Sequence, residues 1–178
     1  GIFGTTLYKM DKNVLGAPDG TWDAVVGGTT WDSYTKLMLH CDGADASTTF
    51  TDEIGKTVVT NGNVQIDTAQ QKFGTASGLF DGTGDYLNIV DNDDWDWGTG
   101  DFTVDFWVRF NVLPGAGSTY TLFDNHNNAS GVRLNLVNAA GVYTLALYIV
   151  GVEVDSASWA VAINTWYHIA VVRTSGNA

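Results

Sequence analysis

The sequence predicts an all-β protein, an antiparallel two-sheet sandwich, on three observations. Twenty-one glycines, seven tryptophans, seven tyrosines and eight phenylalanines share a 178-residue chain that is only 16% charged. That mix favours short strands joined by tight turns. Glu53 and Glu153 are the only glutamates among 20 acidic residues, so the rest are Asp. Asp satisfies nearby backbone N–H groups in turns, whereas Glu suits helix surfaces. Finally, apolar runs of strand length recur between Gly, Asn, Asp and Ser at the spacing of a sandwich. A hydrophobic content of 44% is enough for one sizeable core.

Residues 1–35 read differently from the rest, with short apolar clusters, Gly breaks and a Pro but no sustained period. They are expected to form an extended N-terminal arm. Trp22 and Trp31, each within a Thr-Trp-Asp triplet, are its candidate docking anchors. Strands or strand pieces that pack on the domain are the plainer reading.

From residue 36 onward the chain is regular. The β-type runs are KLMLHCD, TVVT, VQID, DYLNIV, DFTVDFWVRFN, GVRLNLVN, VYTLALYIV, VEVD and TWYHIAVVR. In the fifth, Phe102, Val104, Phe106, Val108 and Phe110 alternate with Thr103, Asp105, Trp107, Arg109 and Asn111, so the first set is expected to face the core. The outer set is semi-apolar and expects cover from a neighbouring loop or solvent at its edge. In VEVD, Glu153 and Asp155 read as the solvent side of an amphipathic strand. WYHIAVVR is apolar on both faces and predicts a central, doubly buried strand with His168 as a hydrogen-bonded core residue.

The totals exclude several function classes. A net charge of −12 and eight scattered Lys and Arg residues leave no electrostatic footprint for nucleic acid. No stretch approaches the ~18 apolar residues of a membrane span. Cys41 has no second cysteine to pair with, and its LMLHC setting predicts a small buried hydrophobe. The first residue is Gly, which reads as a chain processed, excised from something longer or incompletely observed.

LMLHCDGAD, FTDEIGK, KFGTASGLFDGTGDYLNI, GTGDFTVDFWVRF and NTWYHIAVVR, in that order, resemble the laminin-G-like or concanavalin A-like lectin/glucanase jelly rolls over residues 37–173. The resemblance implies a jelly-roll sandwich over residues 36–178, of the variety seen in secreted bacterial proteins and bacteriophage virions. It also implies C-terminal strands beyond Arg173 that this sequence lacks. A missing part, the arm or a neighbouring subunit is expected to fill the gap. The implied location is extracellular or on a virion surface, with other subunits of the assembly as partners.

Glucanases of this fold carry paired carboxylates on one strand as a Glu-x-Asp-x-x-Glu type motif, and retaining hydrolysis needs the two about 5 Å apart. With its two glutamates a hundred positions apart, this chain has no such motif. His40, His126 and His168 lack metal-type spacing. No catalytic residue is expected, and a degenerate glycosidase ranks last.

Two site chemistries remain. Asp85, Asp91, Asp93, Asp94 and Asp96 lie in Gly-punctuated turns suited to the six to eight oxygens of Ca²⁺. The EF-hand pattern fails, with Trp95 in a ligand slot, Asp96 at the glycine position and Phe102 at the glutamate position. Trp95, Tyr120, Asn125, His126 and Asn128 combine aromatic faces with amide and imidazole groups suited to a glycan. Trp97, beside Gly98 and a strand start, is expected to pack down as a loop anchor. The function expected is a non-catalytic structural and binding module of an extracellular or virion assembly that contacts surface glycans. A calcium-dependent lectin is the alternative.

Overall fold

The computed structural model describes residues 2–4, 32–125 and 131–174. Trp22, Trp31, His126 and Asn128 lie outside the described residues. Eleven strands are present among them: β1 (Ile2–Gly4), β2 (Val58–Asn61), β3 (Gln65–Asp67), β4 (Ser77–Leu79), β5 (Tyr86–Ile89), β6 (Phe102–Arg109), β7 (Thr119–Asp124), β8 (Val132–Ala139), β9 (Val142–Ile149), β10 (Val152–Ser158) and β11 (Trp166–Arg173). A 3₁₀ turn, Asp93–Trp95, is the one helical element among the described residues. The strands form a five-stranded sheet of order β11-β6-β1-β4-β3, a four-stranded meander β10-β9-β8-β7 and a two-stranded sheet β2-β5. Every pairing is antiparallel.

The main core lies between the two larger sheets. Phe106, Val108 and Phe110 from β6 and its end, with Ile169 from β11, meet Leu134 and Leu136 from β8. Phe110, Val108 and Leu136 are fully buried, and each such side chain contributes about 1.5–3 kcal/mol. The period-2 alternation expected for β6 is therefore the alternation found. A second cluster of Leu39, Cys41, Phe50, Val64, Ile66 and Ala76 packs with Val58 and Leu87 under the β2-β5 pair.

Two two-residue hairpins connect the meander. Ala140 and Gly141 (φ +53 and +95) join β8 to β9, and Val150 and Gly151 (φ +50 and +74) join β9 to β10. Positive φ at both central positions matches the right-handed strand twist, which is why such turns prefer Asn-Gly. A β-branched residue at this position is strained.

Three expectations need correction. KLMLHCD makes one isolated bridge, Leu39 to Asp52, and no strand, because Cys41 adopts φ +56 and breaks the extended path. Its side chains are nonetheless core, with Met38, Leu39 and Cys41 all buried. WYHIAVVR is an edge strand, paired with β6 alone among the described strands. His168 pairs opposite Trp107 and so takes the outer face of the sheet, its side chain 43% exposed, with Nε2 3.0 Å from Asp105 Oδ2 and its ring stacked on Trp107. β4 and β7 were missed as strands, since SGL is too short and TYTLFD carries a register shift between Thr121 and Phe123.

The outer face of β6 is covered in part, at Trp107, by the 72–73 loop, and Thr103 is exposed. Lys72 Nζ lies 4.4 Å from the Trp107 ring centroid and Phe73 meets Trp107 edge-on.

Candidate functional site

The Asp-rich segment between β5 and β6 folds into a self-closed loop. Asn92 caps the 3₁₀ turn by accepting from Asp94 N at 2.9 Å. The two indoles are tied to the loop's own backbone: Trp95 Nε1 donates to Val90 O at 3.3 Å and Trp97 Nε1 to Asp94 O at 3.0 Å. Trp97 stacks on Phe102, with centroids 4.3 Å apart, and lies parallel to Phe123 at 5.9 Å. The anchor role expected for Trp97 is the one observed.

The acidic residues are distributed among separate partners. Asp94 is engaged by Lys56 and by Lys36 at 3.1 Å. These hydrogen bonds, Lys56's first, hold its carboxyl below the usual Asp range. Asp85 accepts from the backbone N–H groups of Asn63 and Asp81, both at 2.8 Å. Asp81 accepts from Thr83 N, the leading reason that its carboxyl is also held low. Among the described residues no three His, Cys, Asp or Glu side chains come together as a metal-holding group; Asp85 and Asp94 are spent on backbone N–H groups and on lysines.

The same holds for the upstream acidic cluster. Asp42 accepts from Thr75 N and Oγ1 and from Ala76 N. Asp45 accepts from Thr68 N and Oγ1. Buried Asp52 accepts from Met38 N at 2.7 Å and Lys56 N at 2.8 Å. Each carboxylate closes a loop by taking up orphan donors, as Asp does in turns.

Of the glycan candidates, Trp95 and Asn125 come together, Asn125 Nδ2 lying 3.4 Å from Trp95 O. Asn125 Oδ1 also accepts from Val132 N at 2.7 Å, which ties the β7 end to β8. Tyr120 packs against the main core, its hydroxyl near Gly82 in another loop.

A cavity of about 260 Å³ opens where the Asp-rich loop meets the ends of β8, β9 and β11. Trp97 and Gly98 from the loop, Gly131, Val132, Ile149 and Val150 from the β8 and β9 ends, and Arg173 from the end of β11 line it. Arg173, the last residue of β11, donates from Nε to Gly100 O at 2.8 Å and from Nη2 to Gly98 O at 2.9 Å and Trp97 O at 3.2 Å. Its guanidinium carbon lies 4.7 Å from the Phe102 centroid. Arginine thus fixes the loop to the sheet while presenting a cation beside an apolar cleft. Of this lining only Trp97 stood out in the sequence; Arg173, Ile149 and Val150 are brought together by strand pairing between distant segments. The clue available was Val150 before Gly151, where a hairpin prefers Asn.

Fold and site together define an antiparallel β-sandwich with a small, mostly apolar cleft at its loop end. The family model described as the concanavalin A-like lectin/glucanases superfamily matches residues 80–178, more than half of the chain, which belongs to that superfamily. No curated protein and no solved structure matches.

Proposed function

We propose that the chain is a non-catalytic binding module of a larger extracellular assembly, such as a virion fibre or decoration protein, that contacts a surface glycan through the Trp97–Arg173 cleft. The cleft carries the reading. At about 260 Å³ it lies just under the roughly 300–1,000 Å³ of drug-sized sites, a size for one sugar ring. Its apolar walls suit the ring's C–H face, and Arg173 and the main chain suit its hydroxyls. Among the described residues no Asp or Glu lines it, whereas glycoside hydrolysis uses a carboxyl pair.

Backbone strain in the lining supports the same reading. Val150 holds φ +50, at a cost of about 1–3 kcal/mol for a residue of its shape, and places an isopropyl group on the cleft wall. Glycan-array binding by the full chain, repeated with chelator and with Val150→Asn, tests the proposal. Saturable binding that the substitution weakens and chelator leaves intact is expected. Absence of binding to every glycan refutes it, loss with chelator alone transfers the role to a calcium-dependent lectin, and hydrolysis at an enzymatic rate makes the protein an enzyme.

A further inference from the structure

The cationic group in the cleft narrows the ligand. Lys36, Lys56 and Arg133 are ion-paired with Asp side chains. Arg173 is held differently, by the main-chain carbonyls of Trp97, Gly98 and Gly100. Carbonyls satisfy N–H donors without cancelling the formal charge. Those bonds use Nε and Nη2, and Nη1 has no hydrogen-bond partner among the described residues. Half-burial and the Phe102 ring on one side reduce the water available to it.

The surroundings make this unusual for such a chain. With a net charge of −12, its surface repels anions in general, yet among the described residues the lining of the cleft includes Arg173 and no acid. A planar guanidinium with donors to spare recognises a carboxylate better than a hydroxyl. The apolar side chains of Val132 and Ile149 in the lining meanwhile suit the C–H groups of a ring.

Resting on the glycan reading above, we propose that the cleft selects a pyranose bearing a carboxylate, with Arg173 Nη1 donating to the acid group and the apolar walls holding the ring. A hexuronate and a sialate share that chemistry and differ in where the acid sits on the ring.

Calorimetric titration of the full chain with glucuronate, N-acetylneuraminate, glucose, glucuronamide and acetate tests this. Glucuronate or N-acetylneuraminate is expected to bind about tenfold tighter than glucose and glucuronamide, as a charge-assisted hydrogen bond implies, and whichever acid binds tighter identifies the source. Acetate, which lacks the ring, is expected to bind far more weakly. Arg173→Lys should retain part of the preference and Arg173→Met should abolish it. Should Arg173→Met fail to fold, the glucuronate and glucuronamide comparison on the unmodified chain decides alone. Equal affinity for acid and amide overturns the carboxylate inference and leaves the glycan reading standing. No saturable binding of any sugar overturns both.

Discussion

Replacing Val150 by Asn is expected to make the protein more stable and a poorer binder. Val150 is the first central residue of the β9-β10 hairpin, with φ +50, followed by Gly151 at φ +74. Asn adopts this conformation readily, so relief of backbone strain is worth about 1–3 kcal/mol. The loss is small, because Val150 is already 46% exposed and forfeits only part of the ~1.5 kcal/mol of a fully buried Val. The bond from Val150 N to Gly131 O at 3.2 Å is a backbone bond and survives. A net gain of about 0.5–2 kcal/mol follows, or roughly 1–8 °C in Tm for a chain of this length. Thermal melts by circular dichroism measure it, and the titrations above measure the accompanying loss of affinity. A fall in Tm would show that Val150's packing outweighs its strain. A rise without any loss of binding would remove the cleft's claim on the residue.

Three further outcomes follow from the carboxylates and one tyrosine. Asp52→Ala leaves Met38 N and Lys56 N without their acceptor and is expected to cost about 2–5 kcal/mol in urea denaturation; an unchanged midpoint would mean that these donors find other partners. Asp94→Asn is expected to lower Tm at neutral pH. Because Lys56 and Lys36 depress the folded pKa of Asp94, its contribution is present above the unfolded value of about 3.9 and fades as pH falls through the folded one, so the two melting curves should converge in acid. Tyr148 donates to Glu153 Oε2 at 3.0 Å, and that bond, then burial, raises its pKa. The contribution is full below the unfolded value of about 10 and is lost as pH rises through the raised folded value. The Tm difference between wild type and Tyr148→Phe should therefore shrink at high pH, and a constant difference would contradict the bond's role.

The strands that were legible in the sequence are those with a long, clean alternation. β6 is the clearest, because inward Phe106 and Val108 and outward Asp105 and Trp107 follow from the two-residue period alone. Trp97 was legible as an anchor for a similar local reason, being tied to Asp94 three residues away and to Phe102 five residues away. Residues 36–42 misled because apolar composition reports burial and not extension: Leu39 and Cys41 are core, yet Cys41 turns the chain out of any ladder.

The sequence by itself determined the all-β class, the superfamily, most strand positions and the use of Asp in turns, since all of these depend on periods and contacts a few residues long. Tertiary structure alone decided which strand lies at an edge, and by its register with β6 that His168 faces outward onto Trp107 and Asp105. It alone chose a partner for each carboxylate, often 20 to 40 positions away, as when Lys56 reaches Asp94. It also assembled the cleft from Trp97, Ile149 and Arg173, because antiparallel pairing sets side by side segments whose separation along the chain carries no local signal.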